Sequence, residues 1–354
     1  MHTNLLTRIH ALIIVLTIIP VTADSAIDDF SPSHMVRRSQ LLMGTLVEVT
    51  AIADTNQSAN LAAAAALDEI RRLETIWSTW ISTSELSQIN ALAGVRPVAI
   101  SPETLSLLMW SVRIGQLTDG AFNIAIGPAI EAWNISANPR VPDDVELNRL
   151  KPLTDLSLLD INEESRTAFL NHRGMRIDVG GIAKGYAADY AVVAMRAAGA
   201  TAGIVALSGD IKTFGEMRDG QAFLFGVRHP RQNDYVLASL ELRNEAISTA
   251  GDYERYFEMN GVRYHHILDP HTLRPAYDCQ SVTIVASQGV MADGLDTGIF
   301  VLGPEKGLAL VERLPGVEAI IVAHDGKVLI SRGLRDRVHI ETESLPGDTQ
   351  KQSL

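Results

Sequence analysis

Short runs of β-forming residues, each ended by a turn signal, fill one stretch of the second half of the chain and constrain its fold more than any other feature. These runs lie at 223–227, 235–242, 253–259 and 262–268, with little room for a helix between them. The Asn260-Gly261 pair between the last two is typical of a tight hairpin turn. Because hairpins pair strands in opposite directions, the sequence predicts an antiparallel sheet here.

Helical segments surround these runs, so we expect an α+β fold in which helices pack on antiparallel sheets. The tripeptide Ser101-Pro102-Glu103 opens one helix with a capping residue, a proline and an acidic first turn, and Asp119-Gly120 ends it. The polar segment 138–152 predicts a weak boundary between two closely associated lobes, and 175–206 is predicted to be a strand-helix-strand unit. The other predicted helices are 58–77 (capped by Ser58), 183–198, 291–302 and 304–314, and the other predicted strands are 41–52, 175–179, 201–206, 281–286 and the hairpin 319–332.

The N-terminus has the pattern of a secretory signal peptide. Arg8 precedes an apolar stretch at 11–21, and small residues follow it, which favours cleavage and a periplasmic location. An uncleaved anchor, and with it membrane association, is the alternative, although a spanning helix needs about 20 apolar residues. The predicted organisation is a signal peptide at 1–23, a flexible linker at 24–38, a folded domain at 39–340 and a mobile tail at 341–354.

Acidic residues outnumber basic ones, 42 against 30, which gives a formal net charge of −12. Nucleic-acid binding is disfavoured, because the phosphate backbone attracts basic surfaces. An acidic protein that handles a phosphorylated ligand needs local positive charge, which a divalent cation supplies efficiently. The single cysteine, Cys279, excludes an internal disulfide and a site of paired thiolate ligands.

The glycine-rich segment Gly180-Gly181-Ile182-Ala183-Lys184-Gly185 lies between a predicted strand and a predicted helix. Its glycines let the backbone approach a phosphate closely, and a helix N-terminus favours an anion. The spacing fits neither the GxxxxGK P-loop nor the GxGxxG fingerprint, and the chain has no GxSxG or HExxH motif. An ordinary strand-to-helix turn with a solvated lysine is the alternative.

Two further sets of polar residues are suited to chemistry. Asp293 and Thr297 stand four apart, so on a helix their oxygens share one face and suit Mg²⁺, which prefers hard oxygen ligands. His266 and Asp269 lie at the end of a predicted strand, and a histidine with a near-neutral pKa is a natural general base. The alternative for Asp293 and Thr297 is that they cap a helix or lie on its surface without binding a metal. The alternative for His266 is a structural histidine at a strand end.

In chain order, these segments resemble the ApbE family, the FAD:protein FMN transferases formerly called thiamine-biosynthesis lipoproteins. The resemblance implies an ApbE-like, T-fold-like arrangement of antiparallel sheets and helices across most of the chain. The segments that carry it are Met43-Gly44-Thr45, 84–90, 119–124, 177–187, Ser208-Gly209-Asp210, 249–253, 266–270, and Ala292-Asp293 with Thr297.

The resemblance also implies roles for individual residues. FAD is the implied substrate, and Mg²⁺ would be held by the Ala183 backbone carbonyl, Asp293 and Thr297. His266 is our first choice of general base, with Asp269 to orient it. The residues predicted to contact FAD are Met43, Trp80 (where the family often has tyrosine), Ala121, Phe122 and Asn123 at its flavin and adenosine parts, Asp178, Gly180, Lys184 and Tyr186 near the pyrophosphate, and His266.

The implied reaction cleaves FAD to AMP and attaches FMN by a phosphoester bond to a Thr or Ser of an acceptor protein, an exported or membrane-bound electron-transfer flavoprotein. Three residues depart from the family pattern: Asn123 stands where aspartate is usual, Ala250 where serine is usual and Leu273 where glycine is usual. The alternatives are a metal-dependent FAD pyrophosphatase, in which water replaces the acceptor hydroxyl, and a flavin-binding protein that has lost activity.

Overall fold

The computed structural model describes residues 34–217, 220–232 and 235–341. The predicted signal peptide, linker residues 24–33 and tail residues 342–354 lie outside the described residues. Within them, none of the helices has the length and apolarity needed to cross a bilayer. The helices are α1 (Asn56–Trp77), α2 (Glu85–Ala91), α3 (Pro102–Leu117), α4 (Gly127–Trp133), α5 (Asp144–Leu150), α6 (Ala183–Ala197), α7 (Gly289–Leu302) and α8 (Pro304–Val311), with 3₁₀ turns at Ile124–Ile126, Lys151–Thr154, Leu156–Leu158 and Arg332–Leu334.

The strands form antiparallel sheets, which confirms the predicted α+β class. The largest sheet has eight strands in the order β1-β2-β6-β7-β10-β15-β16-β17, and a three-stranded sheet has the order β18-β9-β8. The strands are β1 (His34–Leu42), β2 (Thr45–Ala53), β3 (Val98–Ala99), β4 (Leu159–Asn162), β5 (Thr167–Leu170), β6 (Ala202–Leu207), β7 (Asp210–Phe214), β8 (Phe223–Arg228), β9 (Val236–Leu242), β10 (Ala246–Gly251), β11 (Tyr256–Met259), β12 (Val262–His265), β13 (Leu268–Asp269), β14 (Arg274–Pro275), β15 (Cys279–Ala286), β16 (Val317–Ala323), β17 (Val328–Ile330) and β18 (Val338–Ile340).

Apolar side chains cover both faces of the large sheet. One face packs against α1, α6 and α7 in the main core, to which α3 also contributes and which includes the fully buried Leu73 and Phe300. The other face packs against the β18-β9-β8 sheet through a second cluster. Because both faces are covered, every residue of β6 and of β15 is buried, and β6 is apolar throughout rather than alternating.

A third, smaller cluster lies around α4 and α5. Trp133, at the end of α4, is fully buried among Leu147, Leu268 and Leu273, and its indole N–H donates to the Leu273 carbonyl at 2.7 Å. The segment 138–152, predicted to mark a lobe boundary, contains α5 and contributes Leu147 to this cluster.

Several predicted strands change in the structure. The run 41–52 is not one strand but the β1-β2 hairpin, which turns at Met43-Gly44 with both residues at positive φ. Pairing with β2 also orders residues 34–38, which were predicted to belong to the linker. The helix predicted at 58–77 begins earlier, because Thr55 rather than Ser58 caps it.

Met175, Ile177 and Val179 are buried, but the segment 175–179 forms no strand. The Asn90 side chain takes the place of a strand partner: it accepts from the Ile177 N–H at 2.8 Å and donates to the Ile177 carbonyl at 2.9 Å. The predicted strand-helix-strand unit is therefore wrong, since β6 instead pairs antiparallel with β2 and β7.

Candidate active site

The glycine-rich turn predicted to approach a phosphate leads directly into α6 and lies against α7. Asp178 stabilises the turn by accepting the Gly180 N–H at 2.8 Å, and Gly180 itself is exposed. A Cβ on Gly181 would lie 3.1 Å from Thr297 Oγ1. The structure thus brings together the turn and the α7 face that carries Asp293 and Thr297, as the proposed metal site requires.

Two glycines let α6 and α7 approach to backbone contact. A Cβ on Gly185 would lie 2.2 Å from the Gly289 carbonyl oxygen, so any larger residue would separate the helices. At this crossing the Gly185 N–H donates to Asp293 Oδ2 at 2.8 Å. Asp189 of α6 accepts the N–H groups of Gly289 and Val290 and so caps the start of α7. Ala183 is the first residue of α6, beside this contact.

Three buried carboxylates meet at the crossing. Asp210, Asp293 and Asp296 each offer an oxygen within 4.8 Å of the others, an arrangement suited to a metal ion. Ser248 of β10 donates to Asp210 and contacts Asp296 Oδ2 at 2.5 Å, and the Thr297 hydroxyl donates to Asp296 Oδ1 at 3.1 Å. The sequence prediction named Asp293 and Thr297 but missed the contributions of Asp210, Asp296 and Ser248.

The missed carboxylates had a signal in the sequence. Asp210 closes the Ser208-Gly209-Asp210 motif, and Asp296 lies three residues after Asp293 on the same helix face. The contact between Asp210 and the helix depends on how β7 and β10 pair within the sheet, which spacing alone does not reveal.

Crowding of these carboxylates governs their protonation. Burial and the neighbouring Asp210 charge raise the pKa of Asp293 to about 7, and burial together with Asp293 raises the pKa of Asp296 well above its ordinary value. Lys184 forms an ion pair with Asp210. Burial opposes the charge on Lys184, but Asp210 and Asp293 outweigh it and raise the pKa of the ammonium.

The two adjacent histidines have different environments. His265 is fully buried: its Nε2 contacts the Ala276 carbonyl at 2.6 Å, and its Nδ1 accepts the Ile267 N–H, which makes it structural. His266 is half-buried, and its Nδ1 lies 3.3 Å from the Arg255 carbonyl oxygen. Burial and the Arg255 charge lower the pKa of His266 well below its ordinary value, so its imidazole is neutral at pH 7.

Asp269 stabilises a turn. One carboxylate oxygen accepts the His271 N–H at 2.8 Å and the other accepts the Thr272 hydroxyl at 3.0 Å. Both hydrogen-bond partners of the Asp269 carboxylate thus lie in the turn that follows Asp269. This turn positions the chain segment after His266. The turn includes Leu273 at positive φ, the position where the family usually has glycine.

The residues predicted to contact the flavin and adenosine parts of FAD occupy different environments. Met43 is half-buried in the β1-β2 turn, and its N–H donates to Glu74 at 2.6 Å. Trp80 is 92% exposed. Ala121 and Phe122 are buried, with a Cβ on Gly181 falling 3.5 Å from the Phe122 ring, so Phe122 lies behind the glycine-rich turn.

Two other predicted contacts make structural interactions. Asn123 caps the 3₁₀ turn by accepting the Ala125 N–H at 2.7 Å, and its side-chain amide donates to the Thr154 carbonyl at 2.8 Å. The Tyr186 ring stacks on Trp77 at 5.8 Å, and its hydroxyl hydrogen-bonds Ser106 at 2.6 Å. The polar end of Tyr186 is thus directed to α3, rather than to the glycine-rich turn as predicted.

Comparison with known proteins agrees with this geometry. The model of the ApbE family matches residues 43–321. A protein of Treponema pallidum named FAD:protein FMN transferase is 34% identical over 323 residues, covering 86% of this chain and 88% of its own. A Vibrio cholerae protein of the same name is 33% identical over 305 residues, covering 83% and 90%.

Solved structures show the same fold. The ApbE protein of Thermotoga maritima matches with a TM-score of 0.78 at 31% identity, covering 86% of this chain and 99% of that one. The flavin transferase ApbE from Vibrio cholerae matches with a TM-score of 0.78 at 28% identity, covering 86% and 100%. The sequence resemblance is therefore confirmed, and the chain belongs to the ApbE family.

Proposed function

We propose that this protein is a Mg²⁺-dependent FAD:protein FMN transferase. The observation that carries the proposal is the buried cluster of Asp210, Asp293 and Asp296 beside a glycine-rich turn that leads into a helix. Hard oxygen ligands next to backbone able to approach a phosphate are what a metal-assisted phosphoryl transfer needs. The names of its relatives specify FAD as donor and a protein as acceptor.

The residues at the cluster suit Mg²⁺. The three carboxylates are buried, and the raised pKa values of Asp293 and Asp296 indicate negative charge that Lys184 alone does not balance. Asp293 and Asp296 would hold the ion, together with Thr297 and the Ala183 carbonyl. Bound there, Mg²⁺ would offset the negative charge of the FAD phosphates.

His266 is suited to take the proton of the acceptor hydroxyl. Its Nδ1 faces the Arg255 carbonyl, so a neutral ring places its proton on Nδ1 and leaves the Nε2 lone pair available. The acceptor oxygen forms a bond to the FMN-side phosphorus, the bond from that phosphorus to the bridging oxygen breaks, and AMP leaves with the electron pair. Asp269 contributes through the turn that it stabilises, which places it as a positioning residue.

The remaining predicted contacts would serve the flavin and adenosine. Trp80 offers an exposed aromatic face for stacking, and Met43 presents a half-buried side chain at the hairpin turn. Asn123 and Tyr186 shape the site through the contacts that they make with Thr154 and Trp77.

The acceptor in this proposal is a flavoprotein with a Thr or Ser target, exported or membrane-bound, and the transferase itself is periplasmic. The signal-peptide pattern of the sequence supports this location. N-terminal sequencing of the protein from the periplasmic fraction tests it: an intact Met1 in the membrane pellet would contradict cleavage.

One assay separates the proposed reaction from its alternatives. The purified protein is incubated with FAD and Mg²⁺, with and without a flavoprotein domain that carries a Thr target, while AMP and the acceptor mass are measured. A transferase releases AMP in step with a mass increase of the acceptor. A pyrophosphatase releases AMP and free FMN without the acceptor, and a binding protein releases neither.

Two variants assign the roles. Asp293→Ala is expected to abolish Mg²⁺-dependent cleavage. His266→Ala is expected to bind FAD normally and to transfer FMN about 10²-fold more slowly or worse, because proton removal contributes roughly 10²–10⁴-fold. A single-turnover rate of His266→Ala within a few-fold of wild type would exclude His266 as the base.

A further inference from the structure

Arg255 lies in a loop that neighbouring residues hold firmly. The loop follows β10, and its Asp252 is 7% exposed. Arg231 donates to both carboxylate oxygens of Asp252, at 2.6 and 2.7 Å, and the Asp252 N–H donates to the Gln280 carbonyl at 3.1 Å. The backbone that carries Arg255 is thus fixed from both sides.

The same loop contacts the proposed general base. The Arg255 carbonyl accepts the His266 backbone N–H at 3.1 Å and lies 3.3 Å from His266 Nδ1. The negative charges of Asp178, Glu254 and Asp210 act on the Arg255 guanidinium. Asp178 belongs to the glycine-rich turn and Asp210 to the acid cluster.

Among the described residues, Arg255 has no carboxylate partner, in contrast to Lys184 and Arg263. Lys184 pairs with Asp210, and Arg263 pairs with Glu258 at 3.2 Å. In the described part of the chain, Arg255 forms no ion pair within 4.0 Å. Its side chain is open to solvent. A cation that adjoins the proposed base and has no carboxylate partner among the described residues is suited to an anionic ligand.

We propose that the Arg255 guanidinium binds a phosphate of the flavin dinucleotide and stabilises the negative charge on the departing nucleotide phosphate. This inference rests on the proposed function for the identity of the ligand. When the bond between the FMN phosphorus and the bridging oxygen breaks, the electron pair stays on the phosphate of AMP, and Arg255 donates N–H groups to that phosphate. A planar guanidinium can donate two parallel hydrogen bonds to one phosphate, which an ammonium cannot.

Binding measurements on ligand pairs that differ only in phosphate test the role. Wild type, Arg255→Gln and Arg313→Gln are titrated with FAD against riboflavin and with ADP against adenosine, with and without Mg²⁺. Arg313→Gln is the matched control, because Arg313 is exposed and its side chain lies outside this site. We expect Arg255→Gln to bind FAD and ADP about 10- to 100-fold more weakly than wild type, since it removes hydrogen bonds between charged groups. Riboflavin and adenosine affinities should not change.

Equal FAD and ADP affinities in Arg255→Gln and Arg313→Gln would overturn the proposal. So would an equal loss for riboflavin and adenosine, because that result would assign Arg255 to the shape of the pocket. If Arg255→Gln unfolds at a lower temperature than wild type, the ADP affinity of Arg255→Lys is measured as well. Because lysine retains the positive charge, Arg255→Lys should bind ADP more tightly than Arg255→Gln. An ADP affinity of Arg255→Lys no higher than that of Arg255→Gln would contradict phosphate binding. Loss of ADP affinity in a protein that transfers no FMN would refute the proposed function and leave the phosphate site standing.

Discussion

Replacing Gly185 by alanine should damage both the stability of the protein and its metal site. The added Cβ would lie 2.2 Å from the Gly289 carbonyl oxygen and 2.6 Å from Asp293 Cβ. Non-bonded heavy atoms in good contact are about 3.5–4.0 Å apart, so α6 and α7 would have to separate by about 1 Å. Neither opposing atom can rotate away, since one belongs to the backbone and the other is a Cβ.

The size of the effect follows from two opposing contributions. Overpacking a close contact costs about 1–3 kcal/mol, and a backbone obstacle favours the upper end. Alanine in a helix returns about 1 kcal/mol relative to glycine. The expected net loss of about 2 kcal/mol corresponds to a fall in melting temperature of about 3 °C, because a domain of about 300 residues has an unfolding entropy of about 0.6 kcal/mol/K.

The same separation would reach the acid cluster. The Gly185 N–H donates to Asp293 Oδ2 at 2.8 Å, and a shift of about 1 Å breaks that hydrogen bond. Because losing a group that orients a metal ligand typically reduces metal affinity about 10- to 100-fold, Mg²⁺ binding should weaken by about tenfold or more.

Gly294→Ala provides the matched control. It makes the same chemical change in α7, and its Cβ would lie 2.4 Å from Ile114 Cδ1, the end of a side chain that can change rotamer. Thermal unfolding with and without Mg²⁺, together with Mg²⁺ titration by calorimetry, compares the two variants. A melting temperature and Mg²⁺ affinity of Gly185→Ala equal to wild type would refute the reasoning, as would equal damage in Gly294→Ala.

Three further predictions concern protonation and the unusual residues. Because burial raises the pKa of Asp293 to about 7 and also raises that of Asp296, Mg²⁺ must displace protons from its ligands at lower pH, so Mg²⁺ affinity should rise as pH increases through 7, which calorimetry at pH 6 and pH 8 would show. Leu273 is buried at positive φ, and only glycine removes the strain of that conformation. In thermal unfolding, Leu273→Gly should therefore be less stable than wild type but about 1 kcal/mol more stable than Leu273→Ala. A Leu273→Ala variant more stable than Leu273→Gly would exclude backbone strain at this position. Asn123→Asp removes the donor to the Thr154 carbonyl and should lower the free energy of unfolding by about 1–3 kcal/mol in denaturant unfolding. An unchanged denaturation midpoint would show that this hydrogen bond does not stabilise the fold.

Local signals in the sequence predicted five of the eight helices in the described chain and missed the short helices α2, α4 and α5. The Ser101 cap with Pro102 correctly marks the start of α3, and the glycine-rich turn correctly precedes α6. Strands were harder, because an apolar run does not reveal its partner. The run 175–179 alternates apolar and charged residues as a half-buried strand does, but the Asn90 side chain satisfies the Ile177 backbone instead of a neighbouring strand.

The candidate site was predicted only in part, because the sequence does not reveal which separate segments contact each other. Asp293 and Thr297 share a helix face, which residue spacing shows directly. Asp210 reaches the cluster only because β7 pairs with β10 and α7 packs on that part of the sheet. The role of Arg255 depends likewise on the loop after β10 contacting His266, a contact between separate segments that spacing does not encode.

The departures from the family pattern argue against a protein that has lost activity. Each is accommodated by its surroundings: Asn123 gains the Thr154 carbonyl as an acceptor, Leu273 fills the space beside Trp133, and Ala250 is buried in the main core. None of them removes a carboxylate of the acid cluster. A chain released from selection for catalysis has no reason to keep three crowded, buried carboxylates, because such charges destabilise the fold unless a ligand or proton neutralises them. Their retention therefore favours a working metal site, and with it the transferase over the binding protein.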